Sequence, residues 1–285
     1  MKIFKHNIIA TALLAFSVLS CDKAESPVSI PEQTVTMNYS VALDQQTKAL
    51  GEGNSVNYIW CGAYVEANNQ GNTTYTLISE SLTKVTDAST QCQIELLREQ
   101  TYKVVFVGQH YESTDQEPRP TYDIAEADAL IYMPAQAVTN SDNYDLFTYV
   151  DSVIDFEPSL SKNITLSRQV AQINFIASDM PAVQASGNIP ESSSVTLTSV
   201  PKYINLFDGT VSDEKIEVNY TPASLINSGE NPLASVFCLA SRTKVDVQAS
   251  LYIYIGEVEQ KRYTSVSLPC KANYKTNVMV TYTNE

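Results

Sequence analysis

The residues of this 285-residue chain that could do chemistry are five cysteines, two histidines and 32 carboxylates. Beyond the first twenty residues the one histidine is His110, so a zinc site with two or more histidine ligands is excluded there. A serine–histidine–aspartate arrangement would have to use His110. That residue lies in "GQHYESTDQ", a polar stretch at the end of an apolar run, and no G-x-S-x-G accompanies it, so it reads as a solvated loop histidine. The cysteines lack C-x-x-C spacing, and neither glycine-rich phosphate-binding pattern occurs. Asp123, Glu126 and Asp128, and again Asp142, Asn143 and Asp145, could approach a cation. Neither group has the calcium-loop spacing, and both read as acidic solvated loops. No catalytic, cofactor-binding or metal-binding residue is singled out, and the chain is not expected to be an enzyme. The cysteines remain: Cys61, Cys92, Cys238 and Cys270 can pair, but Cys21 is then left over and needs another role.

The N-terminus offers that role. Lys2, Lys5 and His6 precede the apolar run "NIIATALLAFSVL", which is too short to span a bilayer and suits a signal-peptide core. "VLSC" follows and resembles a lipobox, in which the peptide is cut before the cysteine and the cysteine is acylated. Residues 1–20 are thus expected to be a lipoprotein signal peptide and Cys21 the lipidated residue, since three acyl chains at about 0.8 kcal/mol per buried methylene hold a protein on a membrane permanently. Residues 21–33, with "DKAESPVSIPEQ", are polar, carry two prolines and read as a flexible tether. Removing residues 1–20 takes away two lysines and leaves 16 basic against 32 acidic residues, a net charge of −16. So acidic a chain has no footprint for nucleic acid and no electrostatic attraction to anionic lipid. Its attachment to a membrane should rest on the lipid alone.

The rest must be positioned by strands. "TVTMNYSVAL" sets Val35, Met37, Tyr39 and Val41 on one face with period two. "VNYIWCGAYV" is nearly continuous in apolar residues, and "TYTLISESL", "CQIELL" and "YKVVFVGQ" follow at short intervals. "TLSRQVAQINFIAS" reads as one strand alternating through Ala171, Ile173, Phe175 and Ala177, and "KVDVQASLYIYIG" is the cleanest alternation of all. Short strands between polar turns predict an all-β fold of antiparallel sandwiches. The stretch from about 110 to 160 is acidic and reads as loop, which suggests an N-terminal domain over 34–161 and a C-terminal one over 162–285. That boundary splits the four remaining cysteines two and two. Within-domain bridges, Cys61 to Cys92 and Cys238 to Cys270, would each close a loop of about thirty residues and add about 3–4 kcal/mol. Equally open is the reading that each is a small buried hydrophobe, since "IWCGAY" and "VFCLAS" place them in apolar strands. Trp60, the one tryptophan, sits in such a strand and reads as core rather than as a sugar-binding platform.

Several stretches, in order, resemble the fimbrillin-type lipoproteins of Bacteroidales. They are "TKALGEGNSVNYIWCGAYV", "TYKVVFVGQ", "LSRQVAQINFIASD", "VPKYINLFDGTVS", "LASVFCLAS" and the closing "VSLPCKANYKTNVMVTYTN". The resemblance covers most of the chain after the leader. It implies two tandem transthyretin-like β-sandwich domains, a cell outer membrane location through the lipid, and other fimbrial subunits as partners. In such assemblies shaft subunits lose their N-terminal strand to an arginine-specific protease and receive a neighbour's strand, whereas anchor subunits keep strand and lipid. Here the first arginine is Arg98, and Lys48 stands in "TKA" where relatives tend to carry arginine. An arginine-specific cut freeing "TVTMNYSVAL" is therefore not available, although a lysine-accepting protease could act at Lys48. The last strand expected also ends close to Glu285, leaving no evident donor extension. The expectation is an anchor or accessory subunit of fimbriae, with a polymerising shaft subunit or a surface glycan-binding lipoprotein as alternatives. Asp151-Ser152-Val153 also resembles a short O-glycosylation motif of Bacteroidetes, with Ser152 as acceptor.

Overall fold

The computed structural model describes residues 34–44, 55–69, 72–98, 100–114, 117–153, 160–187, 189–224 and 232–282. Cys21 and Lys48 lie outside them. From the N-terminus come β1 (Thr34–Leu43), β2 (Tyr58–Asn69), β3 (Asn72–Lys84), β4 (Ser89–Leu97) and β5 (Tyr102–Gln109). Short strands β6 (Tyr111–Glu112), β7 (Arg119–Pro120), β8 (Asp123–Ala125), β9 (Leu130–Tyr132) and β10 (Gln136–Val138) lead to β11 (Leu146–Val153) and β12 (Leu160–Arg168). The chain continues through β13 (Val170–Ala177), the helix α1 (Met180–Ser186), β14 (Ser192–Pro201), β15 (Tyr203–Asn205) and β16 (Lys215–Ser224). It closes with β17 (Pro232–Leu239), β18 (Val245–Ile255), β19 (Val258–Cys270) and β20 (Lys275–Val280). The architecture is all-β, as the strand patterning predicts.

A seven-stranded sheet runs in the order β3-β2-β5-β11-β12-β1-β4. It curls until its two edges approach, where Ser81 Oγ on β3 donates to the Gln93 carbonyl on β4 at 3.1 Å. Its concave side holds one hydrophobic cluster, in which Met37, Tyr39 and Val41 of β1 meet Ile94 and Leu96 of β4, Phe106 and Phe147. Each of these side chains contributes about 1.5–3 kcal/mol by leaving water. Beyond it, the five-stranded sheet β10-β16-β14-β18-β19 faces the three-stranded sheet β17-β13-β20 across a second, larger cluster.

The second cluster also takes in Trp60 and Tyr64 of β2, Val105 and Val107 of β5, and Leu146 of β11. These come from the convex side of the first sheet. Strands β2 and β5 are therefore covered on both faces, which is why their sequences run apolar without alternation. Gly62 serves the same packing: a Cβ there would come within 2.8 Å of the Trp60 ring.

Three features depart from the sequence reading. The stretch 165–178 is two strands, not one: β12 pairs with β1 and β11, whereas β13 pairs with β17 and β20. The chain changes sheets at Gln169, whose N–H donates to Leu146 O while its own carbonyl accepts from Ala240 N. Residues 162–168, assigned above to the second domain, thus lie in the first sheet. The acidic stretch read as loop contains β11, a central strand whose Leu146 and Phe147 are buried on opposite faces. And the sheets are mixed: β1–β12, β10–β16 and β13–β20 run parallel, because strands distant in sequence meet across crossovers rather than hairpins.

Candidate functional site

The N-terminal strand and the slot that holds it form the best-built site. Alternation places Val35, Met37, Tyr39 and Val41 of β1 inward and Thr36, Asn38 and Ser40 outward. On one side β1 runs parallel to β12, from Met37 opposite Leu160 to Leu43 opposite Leu166, and Asp44 N extends the ladder to Leu166 O at 2.9 Å. On the other it runs antiparallel to β4, from Thr34 opposite Leu97 to Ala42 opposite Ser89. Among the described residues β4 has no other ladder partner. Side chains tie β1 to β4 and, past β12, to β11. Tyr39 donates its hydroxyl to Asp151 Oδ2 at 3.0 Å, Lys162 Nζ reaches the same oxygen at 2.7 Å, and Gln93 Nε2 donates to Asn38 Oδ1 at 2.8 Å. Burial, and after it the Asp151 carboxylate, push the Tyr39 hydroxyl far above the ordinary tyrosine range, so it stays a donor. An internal strand of this kind is a structural element of its sheet rather than a loose arm.

A second constellation sits where the chain changes sheets. Arg168 and Asp145 are both buried, and the guanidinium grips the carboxylate at two points, Nε to Oδ1 and Nη2 to Oδ2, each at 2.7 Å. The Arg168 guanidinium also lies over the Phe147 ring, 4.7 Å from its centroid, and Nη1 reaches Asn273 Oδ1 at 3.4 Å. Burial lifts the Asp145 carboxyl above its ordinary value, and the hydrogen bonds and charge of Arg168 offset part of that lift. Alternation and spacing carry no sign of this pair, since its partners are 23 positions apart and Asp145 looks like one more acidic loop residue.

The other residues singled out from the sequence are dispersed. Cys61 and Cys92 lie in the first cluster and Cys238 and Cys270 in the second. All four are free thiols, with no bridge between them in this structure. Burial pushes the Cys61 and Cys92 thiols up; for Cys238 a hydrogen bond with Cys270 and then burial do so. Ser152 is exposed on β11, between half-buried Asp151 and buried Val153. His110 is held in its turn through Nδ1, 3.0 Å from Ser55 O. Trp60 is buried and its indole N–H donates to Glu80 Oε2 at 3.1 Å. Among the described residues no group of three or more His, Cys, Asp or Glu is placed to hold a metal ion. Tyr39, Tyr64, Tyr102, Tyr122 and Tyr220 are core residues, and Tyr274, 55% exposed, is the one described tyrosine that is mainly in solvent. Most of the remaining tyrosines are half-buried, Tyr132 and Tyr203 among them with ring centroids 5.5 Å apart.

Solved structures of similar shape include a candidate adhesin from Bacteroides ovatus, 11% identical over 89% of this chain and 91% of that one, with a TM-score of 0.47. A fimbrial assembly protein from Parabacteroides distasonis is 11% identical over 88% and 93%, with a TM-score of 0.43. The tip fimbrial protein Mfa3 from Porphyromonas gingivalis, with a C-terminal truncation, is 11% identical over 83% and 81%, with a TM-score of 0.42. No curated protein matches the chain. A family model does, over residues 27–281, and the chain belongs to that family, described as a family of unknown function, DUF6562.

Proposed function

We propose that this protein is a surface lipoprotein of the outer membrane, held by acylated Cys21, that serves as an anchor or accessory subunit of fimbriae with other fimbrial subunits as partners. The observation that carries the reading is the lodging of β1 between β12 and β4, directly after the tether that begins at Cys21. Loss of β1 would leave β4 without a ladder partner and open the first core, so a subunit that works tethered has reason to keep it. No arginine precedes Arg98, which is exposed behind β4; cleavage there would sever four strands rather than free one. The ordered resemblance to fimbrillin-type lipoproteins supports the same reading, as does "VLSC". Ser152, exposed on its strand, remains available as an O-glycosylation acceptor.

The test is the N-terminus of the protein recovered from cells. A mature chain starting at acylated Cys21 supports the reading, and Cys21→Ala should move the protein from the membrane to the soluble fraction. A mature chain starting near Ala49 would replace the anchor with a shaft subunit. A Cys21→Ala variant that stays tightly on the membrane would refute the lipid assignment.

A further inference from the structure

The direction of the strands at the two ends of the fold has a mechanical consequence, which rests on the tethered reading above. We propose that the protein is a load-bearing strut in which β1–β12 and β13–β20 act as two shear clamps in series, joined at Arg168. Tension from a tether enters at Thr34, the first residue of β1. Because β1 is parallel to β12, the far end of β1 at Leu43 lies beside Leu166, next to the point where β12 hands the chain to β13. A pull on Thr34 against the rest of the molecule is therefore directed along β1. Under such a load the ladder bonds share the force and must fail together. Were β1 and β12 a hairpin, Thr34 would lie beside Arg168, and the same pull would open the pair one bond at a time.

The C-terminal end repeats the arrangement. β13 starts at the joint and β20 runs parallel to it, from Lys275 opposite Gln172 to Val280 opposite Ala177. Tension leaving at the end of β20 is again directed along the strand, away from the joint. The exit is pinned: Ser178 N and Oγ both donate to Val280 O, at 2.8 and 3.0 Å. Tyr282 N donates to Asp179 Oδ1 at 2.9 Å, and Tyr263 Oη and Lys261 Nζ reach the carbonyls of Thr281 and Tyr282. Midway along β1, Tyr39 and Lys162 converge on Asp151. Between the clamps, the Arg168–Asp145 pair and the Gln169 N–H to Leu146 O bond hold the end of β12 against the first sheet.

Single-molecule force spectroscopy decides this. The mature chain, with Cys21→Ser to leave the lipid off, is pulled by its two ends. In a second geometry it is pulled through Lys244→Cys and Lys271→Cys, beside the open end of the antiparallel β18–β19 pair, where Val245 faces Cys270 and the load peels. At a matched force, end-to-end unfolding is expected to be about 100-fold slower, the factor that two to three ladder bonds breaking together would supply. In β1 alternate residues turn their N–H to β12, and Asp44 N does so, which assigns Ser40 the same direction. Ser40→Pro removes that donor, and with it the Ser40 Oγ contact to Ser89 Oγ of β4 at 2.6 Å, while leaving every core side chain in place; it should weaken the end-to-end geometry and leave the other unchanged. Equal rates in the two geometries would overturn the proposal, as would a folded Ser40→Pro chain of unaltered end-to-end resistance. If Ser40→Pro does not fold, the comparison of geometries decides alone. These measurements use purified chain without lipid, so they stand or fall separately from the cellular N-terminus that tests the surface reading.

Discussion

At the residue scale the most consequential contact is the buried pair of Arg168 and Asp145. Two charges taken from water cost several kcal/mol each, so the pair is a weak source of net stability, but removing one partner strands the other. The two partners differ in how they can respond. A carboxylate left alone can take up a proton, whereas a guanidinium cannot shed its charge. Asp145→Ala should therefore cost about 3–5 kcal/mol at any pH between 5 and 8. Arg168→Met leaves a carboxyl whose folded-state value, already lifted by burial, rises further without its partner. A folded value above the unfolded one adds stability at low pH that is lost as pH rises through the folded value. The penalty of Arg168→Met should thus shrink from pH 8 toward pH 5, while that of Asp145→Ala stays level; urea midpoints of both variants across that range check it. Individual residues were unevenly legible. Trp60 could be assigned to the core because its neighbours are apolar in sequence. Arg168 could be seen only as a basic residue at a strand start, since what it touches is set by a change of sheet.

Elements were more legible than contacts where one face meets water and the other meets core. β1, β4 and β18 obey that condition and could be read from period two alone. β11 does not: "DLFTYVDSV" buries Leu146 and Phe147 on opposite sides and is flanked by acidic residues, so its pattern matches neither a surface strand nor a long buried one. β12 and β13 read as one strand because a single residue, Gln169, separates them. Strand direction was not legible at all, since register and parallel pairing depend on crossovers. The slot of β1 gives a direct test at this scale. A chain lacking residues 34–43 loses Val35, Met37, Tyr39 and Val41 from the first core and leaves the ladder edges of β12 and β4 unpaired. It should be destabilised by more than about 4 kcal/mol, given about 1.5–3 kcal/mol for each such side chain. A synthetic TVTMNYSVAL peptide added in trans should restore protection of the β4 and β12 amides from hydrogen exchange. A peptide with Met37 and Tyr39 replaced by Asp should not. Equal protection with and without the peptide would mean that the slot does not accept a strand from outside.

At the scale of the whole molecule the two clusters share a wall. Strands β2 and β5 give one face to each: Ile59, Cys61, Val104 and Phe106 to the first, Trp60, Tyr64, Val105 and Val107 to the second. Opposite the Arg168 crossing, the Phe207 ring packs against Tyr64 and Tyr75, with Lys103 Nζ 4.7 Å from the Tyr75 centroid. The sequence suggested two domains from a fall in strand pattern between about 110 and 160, but that stretch supplies β6 to β11, and β10 pairs with β16 in the five-stranded sheet. A wall that belongs to both cores cannot lose one of them and keep its burial. The described chain should therefore melt as one cooperative unit, with calorimetric and van't Hoff enthalpies equal and with Trp60 fluorescence and far-ultraviolet circular dichroism tracing the same transition. Trp60→Ala should lower that single transition by about 3–5 kcal/mol without splitting it, because the cavity opens in the shared wall. Two resolved transitions in the unaltered chain, or a Trp60→Ala chain in which one half melts early and the other keeps its temperature, would show that the halves are coupled only by the chain between them. A single transition is also what the strut requires, since a joint that yielded before either clamp would carry no load between them.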